Sequence, residues 1–169
     1  MMKKITSLSE AQNKVLRDLR VCIKRIHDLT QAHVETVKEG IAIIRAIRTE
    51  LYEDLNQIQH EEMILRAIDY LQKKEVRGSK IEWNWNPRQT GSGDEPDLVG
   101  RENDCIVISA EITTSEKPVG VLDKRMKATL DKLNKMKGRK YYFVRTSIME
   151  NRALTKIEKS KHSIEVRKI

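Results

Sequence analysis

The chain has 169 residues, of which 34 % are charged and 4 % aromatic, and its formal net charge is +8. That length accommodates one domain with a buried core plus an appendage and excludes two independent enzymes. The apolar positions are periodic rather than sparse, which excludes a disordered chain, and no apolar run approaches the roughly 18 residues that span a bilayer, so no membrane partner is expected.

From Ser7 to about Lys74 there is no proline and a single glycine, Gly40. Val15, Leu19, Cys22, Ile26 and Leu29 recur at helical spacing, and Val37, Ile41, Ile44, Ile47, Leu51, Leu55 and Ile58 continue it. The register slips around Thr30 to Val37, and Gly40 costs about 1 kcal/mol inside a helix, so a break between Thr30 and Gly40 is compatible with the pattern. A dimeric coiled coil and a helical hairpin both satisfy it; the absence of a tight turn motif favours the coiled coil. Beyond Gly78 the texture changes. Lys80 to Asn86 alternates Ile81, Trp83 and Trp85 with polar residues, the period of a half-buried strand whose tryptophans face a core. Pro87 to Glu95 is a glycine-containing loop, followed by a strand at Pro96–Gly100, a turn at Arg101–Asp104 and a strand at Cys105–Thr113. Val119 to Met136 predicts an amphipathic helix with lysines opposite its apolar stripe. Lys140–Arg145 predicts a strand, Met149–Lys159 a helix and Ser163–Val166 a last short strand. The order from Glu61 onward is αβββαβαβ.

Charge follows the same division. From Lys117 to Ile169 there are 16 Lys or Arg against 5 Asp or Glu, a net of +11, which leaves −3 for residues 1–116. A basic third of this kind suits a polyanion, because each neutralised phosphate releases condensed counterions; lysine-rich helices that merely solvate a surface give the same count. Cys22 and Cys105 have no cysteine near them in sequence to complete a metal or redox motif. With no signal-peptide apolar region at the N-terminus, reduced thiols and a cytoplasmic location are expected. His27, His33, His60 and His162 share no metal-ligand spacing and are assigned no chemistry.

Asp97 and Glu111 carry the most chemical information. Antiparallel pairing across the Arg101–Asp104 turn brings both carboxylates to one end of a sheet. Strand alternation places Ser109, Glu111 and Thr113 on one face and Ile108, Ala110 and Ile112 on the other. Two convergent carboxylates form a hard-oxygen site for Mg²⁺, which keeps several waters and accepts a phosphate oxygen.

The Pro96-Asp97 pair, the hairpin, the Glu111-Ile112-Thr113 run, the following basic helix and the next strand together resemble the PD-(D/E)xK nuclease superfamily, over about half of the chain. The resemblance implies an α/β fold: a restriction-endonuclease-like αβββαβ core with a mixed central sheet over residues 61–169, preceded by a long N-terminal helical arm over residues 1–60, a coiled coil or a helical hairpin. It implies a Mg²⁺- or Mn²⁺-dependent DNA nuclease, with endonucleolytic phosphodiester hydrolysis expected. Metal ligands would be Asp97 and Glu111, joined by Glu62 in HEEMILRAIDYL at the position of a family glutamate on the first core helix. Thr113 stands where the family carries its lysine, so the basic group is expected from Lys124 in the following helix or, second, from Lys117 in the loop before it. Arg88, Arg125, Lys127, Lys132 and Lys135 are the candidate DNA contacts, and a homodimer through the N-terminal helices is the expected assembly. Two alternatives stay open: a DNA-binding or assembly protein of the same fold without catalysis, and an interaction protein whose coiled coil is the active part.

Overall fold

The computed structural model describes residues 2–75, 81–87 and 95–169. The chain begins with a two-residue strand, β1 (Lys3–Lys4), and a long helix, α1 (Leu8–Thr30). Ser7 caps α1 by accepting from the Glu10 amide, which satisfies one of the amides left over at a helix start. The chain breaks over residues 31–36, inside the expected window. It restarts at α2 (Val37–Ala46) through a capping box in which Thr36 accepts from the Glu39 amide and Glu39 accepts from the Thr36 amide. This Thr-Val-Lys-Glu signature is the local device that permits the break. A π-helical turn (Ile47–Leu51) joins α2 to α3 (Tyr52–Glu75).

The remaining elements are β2 (Glu82–Trp85), β3 (Leu98–Glu102), β4 (Cys105–Thr113), α4 (Val121–Asn134), β5 (Arg139–Val144), α5 (Ser147–Ser160) and β6 (Glu165–Lys168). The six strands form one mixed sheet in the order β1-β2-β3-β4-β5-β6. Pairing is antiparallel from β1 to β4 and parallel from β4 to β6. The β3–β4 hairpin turns through Asn103 and Asp104, both at positive φ (48° and 63°), the backbone that a two-residue type I′ turn demands.

Helices cover both faces. On one face, Ala11 and Val15 of α1 and Met63, Ile64, Ala67, Ile68 and Leu71 of α3 pack on Trp83, Trp85, Leu98, Ile108, Ala110 and Phe143. On the other, Met126, Leu130 and Leu133 of α4 and Met149, Ala153 and Ile157 of α5 pack on Tyr142, Val144 and Val166. The alternation expected along β4 is present: Ile108, Ala110 and Ile112 belong to the α1/α3 side. Both tryptophans are core residues, each 5 % exposed.

In place of a long projecting N-terminal arm, the fold has α1 turned back on α3. The Lys14 ammonium lies 2.6 Å from both carboxylate oxygens of Glu61, and β1 extends the sheet beside β2. Ala11 and Val15 of α1 therefore share a core with the sheet, with Ile5, Leu8 and Ile58 packed against it. Turning back leaves an outer apolar surface, including Val21, Ile23, Val37 and Ile44, exposed. No helix among the described residues is long and apolar enough to cross a membrane.

Candidate active site

β4 presents Glu111 near its C-terminal end, and the β3–β4 register pairs Leu98 with Ala110. One step further along the hairpin, Asp97 meets Glu111, and the two carboxyl groups are in contact. Both residues are buried, at 5 % and 6 % exposure. The Ile112 amide donates to Asp97 Oδ2 at 2.8 Å, so a backbone hydrogen bond at the sheet end orients this carboxylate. Burying two like charges side by side is costly without compensation. Burial, followed by the neighbouring Asp97 carboxylate, pushes the Glu111 carboxyl above its ordinary value, and Lys132 opposes that shift.

The compensating charge arrives from α4. Lys132 Nζ lies 2.5 Å from Glu111 Oε1 and donates to the Glu95 carbonyl at 3.4 Å. From the opposite layer, α3 brings His60, which is 6 % exposed. Its Nε2 lies 3.3 Å from Asp97 Oδ2, and its Nδ1 has no hydrogen-bond partner among the described residues. Tyr142 stands beside Glu111 in the parallel β4–β5 register. Its phenol is hydrogen-bonded to Thr113 and is pushed above its ordinary range chiefly by burial. His60, Asp97, Glu111, Thr113 and Tyr142 line an open cleft of about 760 Å³ whose walls are α3 and α4, and Lys132 reaches Glu111 from beyond that lining.

The expected site residues separate in this geometry. Asp97, Glu111 and Thr113 come together at the cleft, and Arg125 lines its α4 wall. Lys132, expected as a DNA contact, is instead the cation on Glu111. Lys124 and Lys117 are exposed and do not line the cleft, and Lys127 and Lys135 are likewise exposed outside it. Glu62 faces solvent, 3.7 Å from Arg66, with its side chain 52 % exposed; its neighbour Glu61 is the buried one and is held by Lys14. Arg88 lies outside the described residues.

His60, Lys132 and Tyr142 acquire their places only through packing. The sequence placed Lys132 only among the candidate DNA contacts, and its pairing with Glu111 follows from how α4 seats on the sheet. For His60 the available signal was the helical step of four back from Ile64, a core residue, which places His60 on the packed side of α3.

Asp97 and Glu111 supply oxygen donors of the kind that Mg²⁺ or Mn²⁺ would take. Two adjacent carboxylates opening on a cleft are the protein share that Mg²⁺ ordinarily takes, with waters and substrate oxygens completing its shell. Among the described residues, no group of three or more His, Cys, Asp and Glu is arranged as a metal site. Such an ion would therefore rest on Asp97 and Glu111. No protein-family model matches the chain, and neither a curated protein nor a solved structure matches it.

Proposed function

We propose that this protein is a metal-dependent nuclease of the PD-(D/E)xK type with a restriction-endonuclease-like core, hydrolysing phosphodiester bonds in DNA. The observation that carries the reading is the convergence of Asp97 and Glu111 at the sheet end, lining an open cleft, with the Lys132 ammonium against Glu111. Asp97 and Glu111 hold Mg²⁺ or Mn²⁺. When bound, the ion supplies Lewis-acid stabilisation of charge on the phosphate and acidifies a coordinated water.

The protein's own groups do the rest. The Ile112 amide fixes Asp97. Lys132 takes the place of the lysine that Thr113 replaces, since its ammonium lies 2.5 Å from Glu111 Oε1 and would be the cation beside a metal held by that carboxylate. Arg125, on the α4 wall, binds the phosphate backbone, and the basic C-terminal third extends that contact. The exposed apolar surface of the helical hairpin is where a homodimer would form, placing two sites on two strands.

One observation favours the alternative of a DNA-binding protein without catalysis: the Lys132 ammonium already sits against Glu111, as it would in a site that never takes a metal. The two readings separate in one experiment. Purified protein is incubated with supercoiled, linear, single-stranded and branched DNA and Mg²⁺ or Mn²⁺, with Asp97→Asn and Glu111→Gln in parallel. Cleavage that disappears in both variants and in EDTA establishes the nuclease. Salt-sensitive binding without cleavage, unchanged in the variants, establishes the alternative.

A further inference from the structure

Five residues of α3 line the cleft: Glu53, Gln57 and, at steps of four, Tyr52, Asn56 and His60. Residues at this spacing lie one above another on a helix face, so they form a single ridge. His60 is buried at its inner end beside Asp97. Tyr52, at the outer end, is 65 % exposed. At 1.5 Å per residue the ridge is about 12 Å long, within the reach of a short oligonucleotide. Leu122 and Arg125 of α4 form the opposite wall.

Tyr52 is unusual in two respects. A large aromatic ring stands in solvent at the mouth of the cleft, and among the described residues it makes no hydrogen bond or ring contact. It also directly follows the π-helical turn Ile47–Leu51. A π turn takes one extra residue, which rotates everything after it by about 100° relative to a continuous α-helix. Tyr52, Asn56 and His60 all follow that turn, so the turn sets how the whole ridge faces relative to α2, and the ridge itself comes from the four-residue spacing within α3. Turns of this kind concentrate at functional sites.

We propose that Tyr52 is a base-stacking platform and that the cleft consequently prefers single-stranded DNA to continuous duplex. The inference rests on the nuclease reading of the same site. In a duplex each base face is covered by its neighbours, so an exposed phenol finds nothing to stack on. An unpaired base offers its face, and the ring accepts any of the four because every base has a π-surface. Arg125 across the cleft supplies the phosphate contact that both forms of DNA share.

The test measures the affinity of the full chain, in EDTA to prevent cleavage, for a short single-stranded oligonucleotide and for the matching duplex. Tyr52→Ala, Tyr52→Phe and Tyr52→Trp are compared with the unaltered protein, with circular dichroism to verify folding. Tyr52→Ala is expected to lose about 5- to 150-fold in affinity for the single strand, the range that one base–aromatic stack contributes, and to keep its duplex affinity. Tyr52→Phe and Tyr52→Trp are expected to retain single-strand binding. Equal losses on both substrates, no loss on either, or the same loss in Tyr52→Phe would overturn the stacking role while the nuclease reading stood. Failure of the unaltered protein to bind or cleave any DNA would overturn both.

Discussion

Lys132 sits two helical turns beyond Lys124, and that displacement decides which lysine serves Glu111. Lys124 and Lys117 are solvent-exposed, whereas Lys132 Nζ is 2.5 Å from the carboxylate. On the proposed function, Lys132→Ala is expected to lower the initial rate of plasmid cleavage by about 100-fold or more, the scale of a lost electrostatic or acid–base group. Lys124→Ala and Lys117→Ala should leave that rate nearly unchanged; equal effects at all three positions would remove Lys132 from the site. Glu111 permits a second test. Its carboxyl is raised above the ordinary 4.5, chiefly by burial, so the folded state holds a proton that the unfolded chain releases. The contribution of Glu111 to the stability of the metal-free protein is therefore full below the ordinary carboxylate value and is lost as pH rises towards about 8. Glu111→Gln should flatten this slope in thermal melts and raise Tm at alkaline pH. Mn²⁺ should raise Tm for the unaltered protein and have little effect on the variant.

Among the elements, β4 was the most legible. Its residues alternate every second position between the two sides of the sheet, so the separation of Ile108, Ala110 and Ile112 from Glu111 followed from the sequence. The paired helices were less legible. Their heptad-like spacing is satisfied equally by another chain or by the same chain folding back, and the register slip and Gly40 marked only the window within which the Thr36–Glu39 capping box restarts the helix. What holds α1 on α3 is partly the Lys14–Glu61 pair, with Glu61 only 1 % exposed at its side chain and Lys14 32 % exposed. Removing Lys14 leaves a buried carboxylate without its cation. Lys14→Ala is expected to destabilise the fold by about 3 kcal/mol, the low end for a broken buried pair because water still reaches the lysine side. Urea melts would measure it. The double replacement Lys14→Met with Glu61→Leu should recover most of the loss, since it removes the charge and keeps the volume.

At the scale of the whole molecule, the charge asymmetry between residues 1–116 and the C-terminal third becomes a surface property. Arg125 and Lys127 come from α4, the helix that walls the cleft, and Lys135 caps its C-terminus. If these lysines and arginines hold DNA, log Kd for duplex should rise linearly with log salt, with a slope of about 0.9 per phosphate neutralised. Combined replacement of Lys127 and Lys135 by Ala should make the slope shallower and weaken binding to all sequences alike. A slope near zero would assign the basic third to solvation alone.

The order of strands and helices after Glu61, the two faces of β4 and the approach of Asp97 to Glu111 were determined by the sequence alone. Each depends on neighbours in the chain: the period of a strand, the span of a hairpin, the residues of a turn. The identity of the cation on Glu111, the arrival of His60 beside Asp97, the burial of Glu61 rather than Glu62 and the folding back of α1 were decided by tertiary structure. They depend on how helices from opposite layers are rotated and seated on the sheet. A helix that turns by one residue changes which side chain faces the site by about 100°, and local periodicity does not specify that angle where several polar residues stand side by side.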